Sequence, residues 1–482
     1  MIRTGLSLLL TLPATASADF VFGPEIGIDT HPEAPTAMTD VVRTVEGRFV
    51  TIWDGSGILS AYSDDFGQTW SYKTSVSDPE AYAENFPKVT DDSLGNLYAV
   101  WHDCRGPEPY AIYFSRSLDG GETWLWPNVE VTDDGGYGEC PSIASNADGS
   151  RLVTVFNLPD GPYRAYASYS TDGGMTWSAD TPVGDVISAG QYYPVVEHTG
   201  EDRFTAIWLD KRDTETYVYC SVSEDGGETW VQPNIPVPFG GHSPAAYSLD
   251  LHYDGSFLHA YWIEQYWTDA SVYEVFYSQS RDGGYAWLEE PVRIDPGGTG
   301  LFRKKGGIWV SNPEAIYAAW VSGLGYTRHA VCSASSDSGK TWSEPVIANP
   351  ESAEAWFCDI YGDIASREIL MTWNNQDNQH IKCAHGYDDT GIEQEEAPPF
   401  SFSVSENPFH ASVRIMIEGE EHPDLLEVFD LSGRRLTGLH PHSDSTFIWE
   451  GTDSSGDEVP AGAYIIRGIC EGGMSAIRVV KL

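Results

Sequence analysis

The sequence lacks any long apolar run. The longest apolar stretch, Leu6 to Leu12, falls well short of the about 18 consecutive apolar residues that a membrane-spanning helix needs. Long helical periodicity is also missing, because apolar residues do not recur at three- and four-residue intervals over extended segments. These two absences predict an all-β chain without a transmembrane segment.

Basic residues are scarce. The chain has 8 lysines and 19 arginines against 72 acidic residues, and its formal net charge is -45. A field of this sign repels nucleic acid and anionic membranes, so neither is expected as a partner. It also disfavours anionic substrates unless arginines reverse the potential locally. We interpret the excess of acid as a solubilising surface.

Cysteine is sparse as well, and its spacing offers no metal site. No Cys-x-x-Cys pair or Cys/His cluster is present among the seven cysteines, so no metal and no cofactor is predicted. Cys104 and Cys140 are expected in neighbouring loops, where a disulfide is possible. Cys220 and Cys332 precede equivalent repeat motifs and read as small packing residues.

The first 18 residues have the form of a secretory signal peptide. A cationic start at Arg3 is followed by the short apolar core, and Ala16-Ser17-Ala18 supplies small residues at the cleavage positions. We expect cleavage after Ala18 and a secreted or surface-displayed mature protein. Its expected partners are an extracellular glycan or protein.

One octapeptide recurs six times, and its closing tryptophans are 54, 53, 53, 57 and 55 residues apart. The copies run from Ser63 to Trp70, Ser117 to Trp124, Ser170 to Trp177, Ser223 to Trp230, Ser280 to Trp287 and Ser335 to Trp342. Their shared pattern, S-x-D-x-G-x-T-W, resembles the Asp-box (BNR repeat) of sialidase-like β-propellers. Only the fifth copy departs from it, with Ala286 in place of Thr. The resemblance implies a propeller over residues 19–387.

The chemistry of the box is structural. Its Asp is expected to accept backbone amides within a tight turn, its second Gly to adopt a left-handed conformation, and its Trp to pack under the turn. An EF-hand loop is excluded, because the bidentate Glu that such a loop needs is missing. The predicted structural acids are Asp65, Asp119, Asp172, Asp225, Asp282 and Asp337.

Short alternating segments between the boxes predict four strands per repeat, the pattern of a propeller blade. A seventh unit follows the last box, with strands at Phe357–Tyr361, Glu368–Trp373 and His380–Ala384. It lacks a fourth strand, which the N-terminal Pro24–Asp29 segment would supply. Seven blades are therefore preferred, and six blades with an appended hairpin are the alternative.

The C-terminal 80 or so residues form a separate predicted domain. An acidic, Pro-containing linker at 388–399 leads into residues 400–482, where alternating β sequence is interrupted by Gly turns. The order of Leu425–Leu436, Trp449–Gly456 and Val459–Tyr464 is similar to the Ig-like domain of flagellar hook-capping proteins. It is equally similar to the C-terminal sorting domains of type IX secretion. The resemblance implies a small β-sandwich that contacts the secretion machinery.

The resemblance to sialidase-like propellers implies that ligand sites lie on the face opposite the boxes. Two second-strand ends share the pattern Trp-x-Asp-x-Arg, at Trp101–Arg105 and Trp208–Arg212, and the Asp and Arg can form a local salt bridge or meet a ligand. Candidate ligand-binding residues on this face are Asp103, Arg105, Asp210, Arg212, Tyr192, His242 and Arg303. Candidate catalytic acids are Glu139, Asp359 and Glu264.

Sialidases need three arginines for the substrate carboxylate, a Tyr–Glu nucleophile pair and an acidic Asp. The expected Arg-Ile-Pro motif is missing around Arg43, and the loop after Trp53 is too short to carry the acid. The leading hypothesis is therefore a glycan- or protein-binding propeller without true sialidase activity. The alternatives are an exo-acting glycoside hydrolase that uses carboxylates on the face opposite the boxes and a purely structural or adhesive surface protein.

Overall fold

A computed structural model of the chain describes residues 20–29, 38–81, 85–105, 110–133, 138–159, 161–186, 188–212, 216–241, 243–244, 249–265, 273–295, 302–304, 306–312, 315–324, 327–350, 354–363, 366–375, 380–388, 400–404, 409–419, 423, 425–430, 435–442, 446–460, 462–470 and 473–481. The predicted signal peptide and almost all of the predicted linker lie outside these residues. The chain divides into two compact units, Met1–Asp389 and Thr390–Leu482.

Every regular element among the described residues is a β-strand. The described residues contain no helix that is long and apolar enough to cross a membrane. The prediction of an all-β chain is confirmed.

The first unit consists of antiparallel sheets with four strand positions each, and the first four follow the chain in simple order. The first sheet contains β3 (Thr39–Arg43), β4 (Phe49–Asp54), β5 (Ile58–Ser63) and β6 (Thr74–Ser75). The second contains β7 (Asn85–Asp91), β8 (Leu97–Asp103), β9 (Ala111–Ser117) and β10 (Val129–Glu130). The third contains β11 (Glu139–Ser145), β12 (Leu152–Pro159), β13 (Tyr163–Ser170) and β14 (Thr181–Pro182). The fourth contains β15 (Gln191–His198), β16 (Phe204–Asp210), β17 (Tyr217–Ser223) and β18 (Ile235–Val237).

In the next two sheets the first strand is split into two pieces. The fifth contains β19 (Ser243–Pro244), β20 (Asp250–Tyr253), β21 (Leu258–Gln265), β22 (Tyr273–Ser280) and β23 (Val292–Arg293). The sixth contains β24 (Phe302–Lys304), β25 (Ile308–Asn312), β26 (Ala315–Leu324), β27 (Thr327–Ser335) and β28 (Val346–Ile347).

The seventh sheet joins the two ends of the unit. It contains β29 (Ala355–Gly362), β30 (Ile369–Asn375) and β31 (His380–Asp388), and its outer strand is the N-terminal pair β1 (Phe20–Phe22) and β2 (Ile26–Asp29). Ile26 pairs with Cys383 and Phe20 with Asp388. The first strand of each sheet packs against the first strand of the next, and β29 packs against β3. The seven sheets described thus form a closed cycle.

The core lies between neighbouring sheets. Second-strand tryptophans are fully or almost fully buried at its centre, namely Trp53, Trp101, Trp208, Trp262, Trp320 and Trp373. One cluster joins Ile263 of the fifth sheet to Ile316 and Trp320 of the sixth. Since each sheet buries both faces against its neighbours, the second strands read as near-continuous apolar runs.

Each Asp-box is a turn that is held by hydrogen bonds within the turn and packs against the preceding sheet. Asp119 accepts the Thr123 amide at 2.9 Å and the Thr123 hydroxyl at 2.5 Å, while Gly121 donates its amide to Ser117 Oγ at 2.8 Å. The amide that Asp119 accepts lies four residues further along the chain, within the predicted tight turn. The left-handed glycine is needed because a Cβ at Gly174 would meet the Phe114 ring of the preceding sheet at 2.1 Å.

The second unit contains two antiparallel sheets that share one apolar core. One sheet contains β32 (Phe400–Val404), β33 (Val413–Gly419) and β36 (Thr446–Trp449). The other contains β34 (Leu426–Asp430), β35 (Arg435–Leu439), β37 (Gly462–Cys470) and β38 (Gly473–Lys481). Phe409, Trp449 and Tyr464 pack together in this core. Asp453 accepts the amides of Ser455 and Asp457, so its carboxylate closes a turn.

The fifth box offers a matched test of what the threonine hydroxyl contributes. From residue 286 Asp282 receives a hydrogen bond from the backbone amide alone, whereas Asp225 in the fourth box accepts both the amide and the hydroxyl of Thr229. We expect Ala286→Thr to raise the free energy of unfolding by about 0.5–1.5 kcal/mol, and Thr229→Ala to lower it by a similar amount. Denaturant unfolding of the two variants checks this. A destabilised Ala286→Thr protein would show that the fifth turn differs from the others.

Candidate functional site

The first strands of all seven sheets line a central cavity of about 740 Å³. One end is bordered by the turns that join first to second strands, such as the turns at Val45, Asn146 and Gly255. These turns lie on the face that carries the boxes, because Arg48 in the first of them donates to the carbonyl oxygens of Asp119 and Gly120. The other end narrows between apolar side chains, namely Met38, Phe86, Cys140, Tyr193 and Leu249.

Side chains at one position of the first strands join neighbouring sheets at four of the seven contacts between described sheets. The donors and acceptors are Val41 N to Asp359 Oδ2 (2.9 Å), Val89 N to Asp40 Oδ2 (2.8 Å), Val196 N to Ser142 Oγ (3.3 Å) and Ile308 N to Asp250 Oδ2 (2.9 Å). Asp359 was predicted as a catalytic acid at the start of its strand. The structure places it in the middle of β29, 7% exposed, where it joins the seventh sheet to the first.

Glu264, the second predicted acid, is also held by the protein itself. Its side chain is fully buried at the end of β21. The carboxylate accepts the indole N–H of Trp262 at 2.8 Å and the backbone amide of Gly240 at 2.7 Å. These contacts satisfy a buried charge and leave no exposed surface for a substrate.

The two Trp-x-Asp-x-Arg motifs form matching clamps. Arg105 binds Asp103 at 2.6 Å and Asp78, from the segment that follows the first sheet, at 2.7 Å. Its guanidinium also lies over the Tyr113 ring, 4.1 Å from the ring centre. Asn128 completes the clamp by exchanging backbone and side-chain hydrogen bonds with Asp78.

The fourth sheet repeats this clamp. Arg212 binds Asp210 at 2.7 Å and Asp185 at 2.9 Å, and it lies 3.6 Å from the centre of the Tyr219 ring. Asp103 and Asp210 are fully buried, and the Arg105 and Arg212 side chains are only 10% and 13% exposed. Among the predicted ligand-binding residues, these four therefore serve contacts within the protein, which is the salt-bridge interpretation of the motif.

Glu139 is the predicted acid that stays partly exposed, at the start of β11 on the face opposite the boxes. It accepts a hydrogen bond from the Tyr163 hydroxyl at 3.2 Å. Partial burial and the Glu139 charge raise the pKa of Tyr163, which keeps the phenol protonated as the donor. The Tyr163 ring lies 5.9 Å from that of Tyr192, and Lys211 Nζ is 4.9 Å from the centre of the Tyr192 ring.

His102 extends this group toward the second sheet. It is 5% exposed, and neither ring nitrogen has a hydrogen-bond partner among the described residues. Its ring packs 4.9 Å from Phe86 and 5.1 Å from Tyr110. Burial lowers the pKa of His102 to about 4, so the imidazole is neutral at physiological pH.

We call Tyr110, Glu139, Tyr163, Tyr192 and Lys211, together with His102, the tyrosine face. Of these residues, Glu139 and Tyr192 were predicted from the sequence, whereas Tyr163, Tyr110, His102 and Lys211 were not. Tyr110 and Tyr163 begin or precede third strands, where no sequence motif marks them. His102 was visible inside the Trp101–Arg105 motif, but no pattern marked it as unpartnered.

Two predicted ligand-binding residues fall outside what the structure describes. His242 is not among the described residues, and only the backbone of Arg303 is described, in β24. Within the described part of the chain, no group of three His, Cys, Asp or Glu side chains is placed to hold a metal ion. No disulfide joins Cys104 to Cys140.

Comparison with known proteins shows what this chain resembles. A family model described as a BNR repeat-like domain matches residues 46–249. Solved structures with similar folds include an ulvan lyase of polysaccharide lyase family PL25, at 13% identity and a TM-score of 0.51, covering 75% of this chain and 95% of that one. An α-L-arabinanase from Penicillium chrysogenum matches at 15% identity and a TM-score of 0.45, covering 65% and 96%. None of the curated proteins matches.

These findings establish the kind of fold. Residues 46–249 match the BNR repeat-like domain model, and the first unit has the fold of a β-propeller of four-stranded sheets. The predicted BNR-repeat propeller is confirmed at this level.

A substitution at Arg105 tests whether this side chain forms a structural clamp or serves as a cation for a ligand. Arg105→Ala leaves Asp103 and Asp78 as buried carboxylates without their cation, so we expect a loss of about 3–5 kcal/mol in the free energy of unfolding. The matched control is Arg203→Ala, which removes a largely exposed pair with Glu224 and should cost less than about 1 kcal/mol. Denaturant unfolding gives both values. Equal, small losses for the two variants would contradict the clamp.

Proposed function

We propose that the chain is an exported, seven-bladed propeller that binds a neutral glycan on the tyrosine face and lacks true sialidase activity. The observation that carries the proposal is the group formed by Glu139, Tyr163 and Tyr192. Tyrosine rings offer apolar faces on which sugar rings stack, and a carboxylate beside them accepts hydrogen bonds from sugar hydroxyls.

The electrostatics support a neutral ligand. A sugar carboxylate would need cations, yet Arg105 and Arg212 are bound to buried aspartates. Lys211 is the one cation of the tyrosine face, and Glu139 offsets its charge. With a net charge of -45 on the whole chain, an anionic sugar gains little from approaching this face. A protein partner with exposed sugars or hydroxyl-rich loops would use the same contacts.

A second candidate function, glycoside hydrolysis, has one specific observation in its favour. The hydrogen bond between Tyr163 and Glu139 couples a phenol to a carboxylate, and a Tyr–Glu pair is the nucleophile that sialidases need. Of the three predicted acids, Asp359 and Glu264 are committed to contacts within the protein. A hydrolase would therefore depend on Glu139 together with groups that the structure does not describe.

For the second unit we propose the sorting role implied by its sequence. The support is the order of its motifs and its two sheets around one core. Together with the signal peptide predicted at residues 1–18, this favours export followed by surface attachment or release.

Binding is tested with a glycan array and then by calorimetry on the best neutral oligosaccharide. We expect Tyr192→Ala to weaken binding about tenfold, or about 1.4 kcal/mol, because the stacking surface is lost. Tyr285→Ala is the matched control, since Tyr285 lies in the fifth box and pairs with Glu224. The absence of any glycan that distinguishes the two variants would favour a purely adhesive or structural protein.

Catalysis is tested with a panel of fluorogenic glycosides that includes a sialoside. We expect no turnover of the sialoside, since Arg105 and Arg212 are bound to buried aspartates and are not available to bind the carboxylate of a sialic acid. Turnover of a neutral glycoside that is abolished by Glu139→Gln would show that the protein is a glycoside hydrolase and not only a glycan-binding protein.

A further inference from the structure

The central cavity carries more negative charge than its cations balance. Lys88 pairs with Asp40, and Arg43 pairs with Asp363 at 3.3 Å. Further carboxylates line the same space, among them Asp91, Glu197 and Asp250, and neither Asp91 nor Glu197 forms an ion pair with a described lysine or arginine. The cavity therefore favours a positively charged occupant.

The protonation of these acids reflects the imbalance. Burial, together with the charges of Asp250 and Asp91, raises the pKa of Glu197 to about 8. Burial and the neighbouring Asp92 raise the pKa of Asp91 to about 7. An empty cavity thus takes up protons near neutral pH to relieve repulsion between its carboxylates.

Aromatic rings form one side of the cavity. His252, Trp309 and Tyr361 come from the fifth, sixth and seventh sheets at equivalent positions of their first strands. Their ring centres are 6.4 Å apart for His252 and Trp309, 6.4 Å for His252 and Tyr361, and 6.3 Å for Trp309 and Tyr361. Burial and the nearby His259 lower the pKa of His252 to about 4, so this wall holds no positive charge.

We infer that the central cavity is a binding site for a small organic cation, an aliphatic amine whose ammonium group meets Glu197 and Asp91 and whose carbon chain lies against the rings of His252, Trp309 and Tyr361. Carboxylates attract the charge, and aromatic faces attract both an ammonium group and the adjoining methylenes. The cavity volume of about 740 Å³ is of the size that holds small-molecule ligands.

The wall chemistry favours an amine over a metal ion. No three His, Cys, Asp or Glu side chains of the described residues converge on one point, as oxygen coordination of Ca²⁺ or Mg²⁺ would require. A metal ion also gains nothing from three aromatic rings. The ligand would enter from the box face, because the other end leads only to a pocket of about 50 Å³ between Met38, Phe86, Cys140, Tyr193 and Leu249.

The affinity for an ammonium ion must depend on pH in one direction. An ammonium ion stabilises the ionised carboxylates, so its arrival expels protons from Glu197 and Asp91, and affinity rises with pH until both acids are ionised before binding. The charged and titratable groups that line the cavity with Glu197 are Asp40, Arg43, Lys88, Asp91, Asp92, His198, Asp250, His252, Tyr253, Asp254, Asp359, Tyr361 and Asp363.

Calorimetry of the full chain with putrescine tests the site. We expect saturable binding that strengthens from about pH 6 to about pH 9, with proton release revealed by buffers of different ionisation enthalpy. Glu197→Gln should weaken binding about tenfold and reduce the proton release. Lysine with blocked termini serves as a second probe. Binding of blocked lysine as tight as that of putrescine would identify the side chain of another protein as the source of the amine.

Matched variants distinguish a specific binding site from the non-specific attraction of a cation to an acidic protein. Glu122→Gln removes an exposed acid on the box face and should leave putrescine affinity unchanged. Tyr361→Phe should retain binding, whereas Tyr361→Leu should lose several-fold because the aromatic face is gone. Equal weakening by Glu122→Gln and Glu197→Gln, displacement of putrescine by equimolar Ca²⁺, or the absence of saturable binding would each overturn the inference.

Discussion

The fold depends on buried hydrogen bonds that join neighbouring sheets around the ring. A sheet in a closed ring has no covalent link to its neighbour beyond one connecting segment, so side chains must hold the inner strands together. Asp40, Asp250 and Asp359 do this by accepting backbone amides of the following sheet. Each is a charged acceptor in a poorly solvated place, where a charge-assisted hydrogen bond is strong and its loss is costly.

The same requirement explains the positions of several residues that stood out in the sequence. Asp359, Arg105 and Arg212 lie where sheets meet, and their partners come from within the chain. The clamps around Arg105 and Arg212 fasten the segment after one sheet to the next sheet along the chain. What is left for a ligand is the partly exposed tyrosine face on one side and the charged cavity that opens toward the other.

The fold was largely predictable from the sequence, because the box turn is a local structure with a local cause. Each Asp binds residues at most four positions away, and each glycine needs its left-handed conformation whatever the tertiary context. The pairing of β2 with β31 is different, since it joins residues 357 or so positions apart, yet the missing fourth strand signalled it.

The sites were harder to predict, since side chains with identical local patterns have different tertiary partners. Nothing near Asp359 in the sequence reveals that it accepts the amide of Val41. Tyr163 and Glu139 are 24 residues apart on non-adjacent strands of one sheet, so their hydrogen bond depends on sheet register. The aromatic wall of the cavity unites three sheets, and single residues at roughly fifty-residue intervals leave no motif to find.

The most direct measurement is the position of a bound neutral oligosaccharide in a crystal structure of the full chain. The account predicts density for sugar rings stacked on Tyr192 and Tyr163, with a hydroxyl group within hydrogen-bond distance of Glu139. Density confined to the box face or to the central cavity, with the tyrosine face empty at saturating ligand, would contradict it.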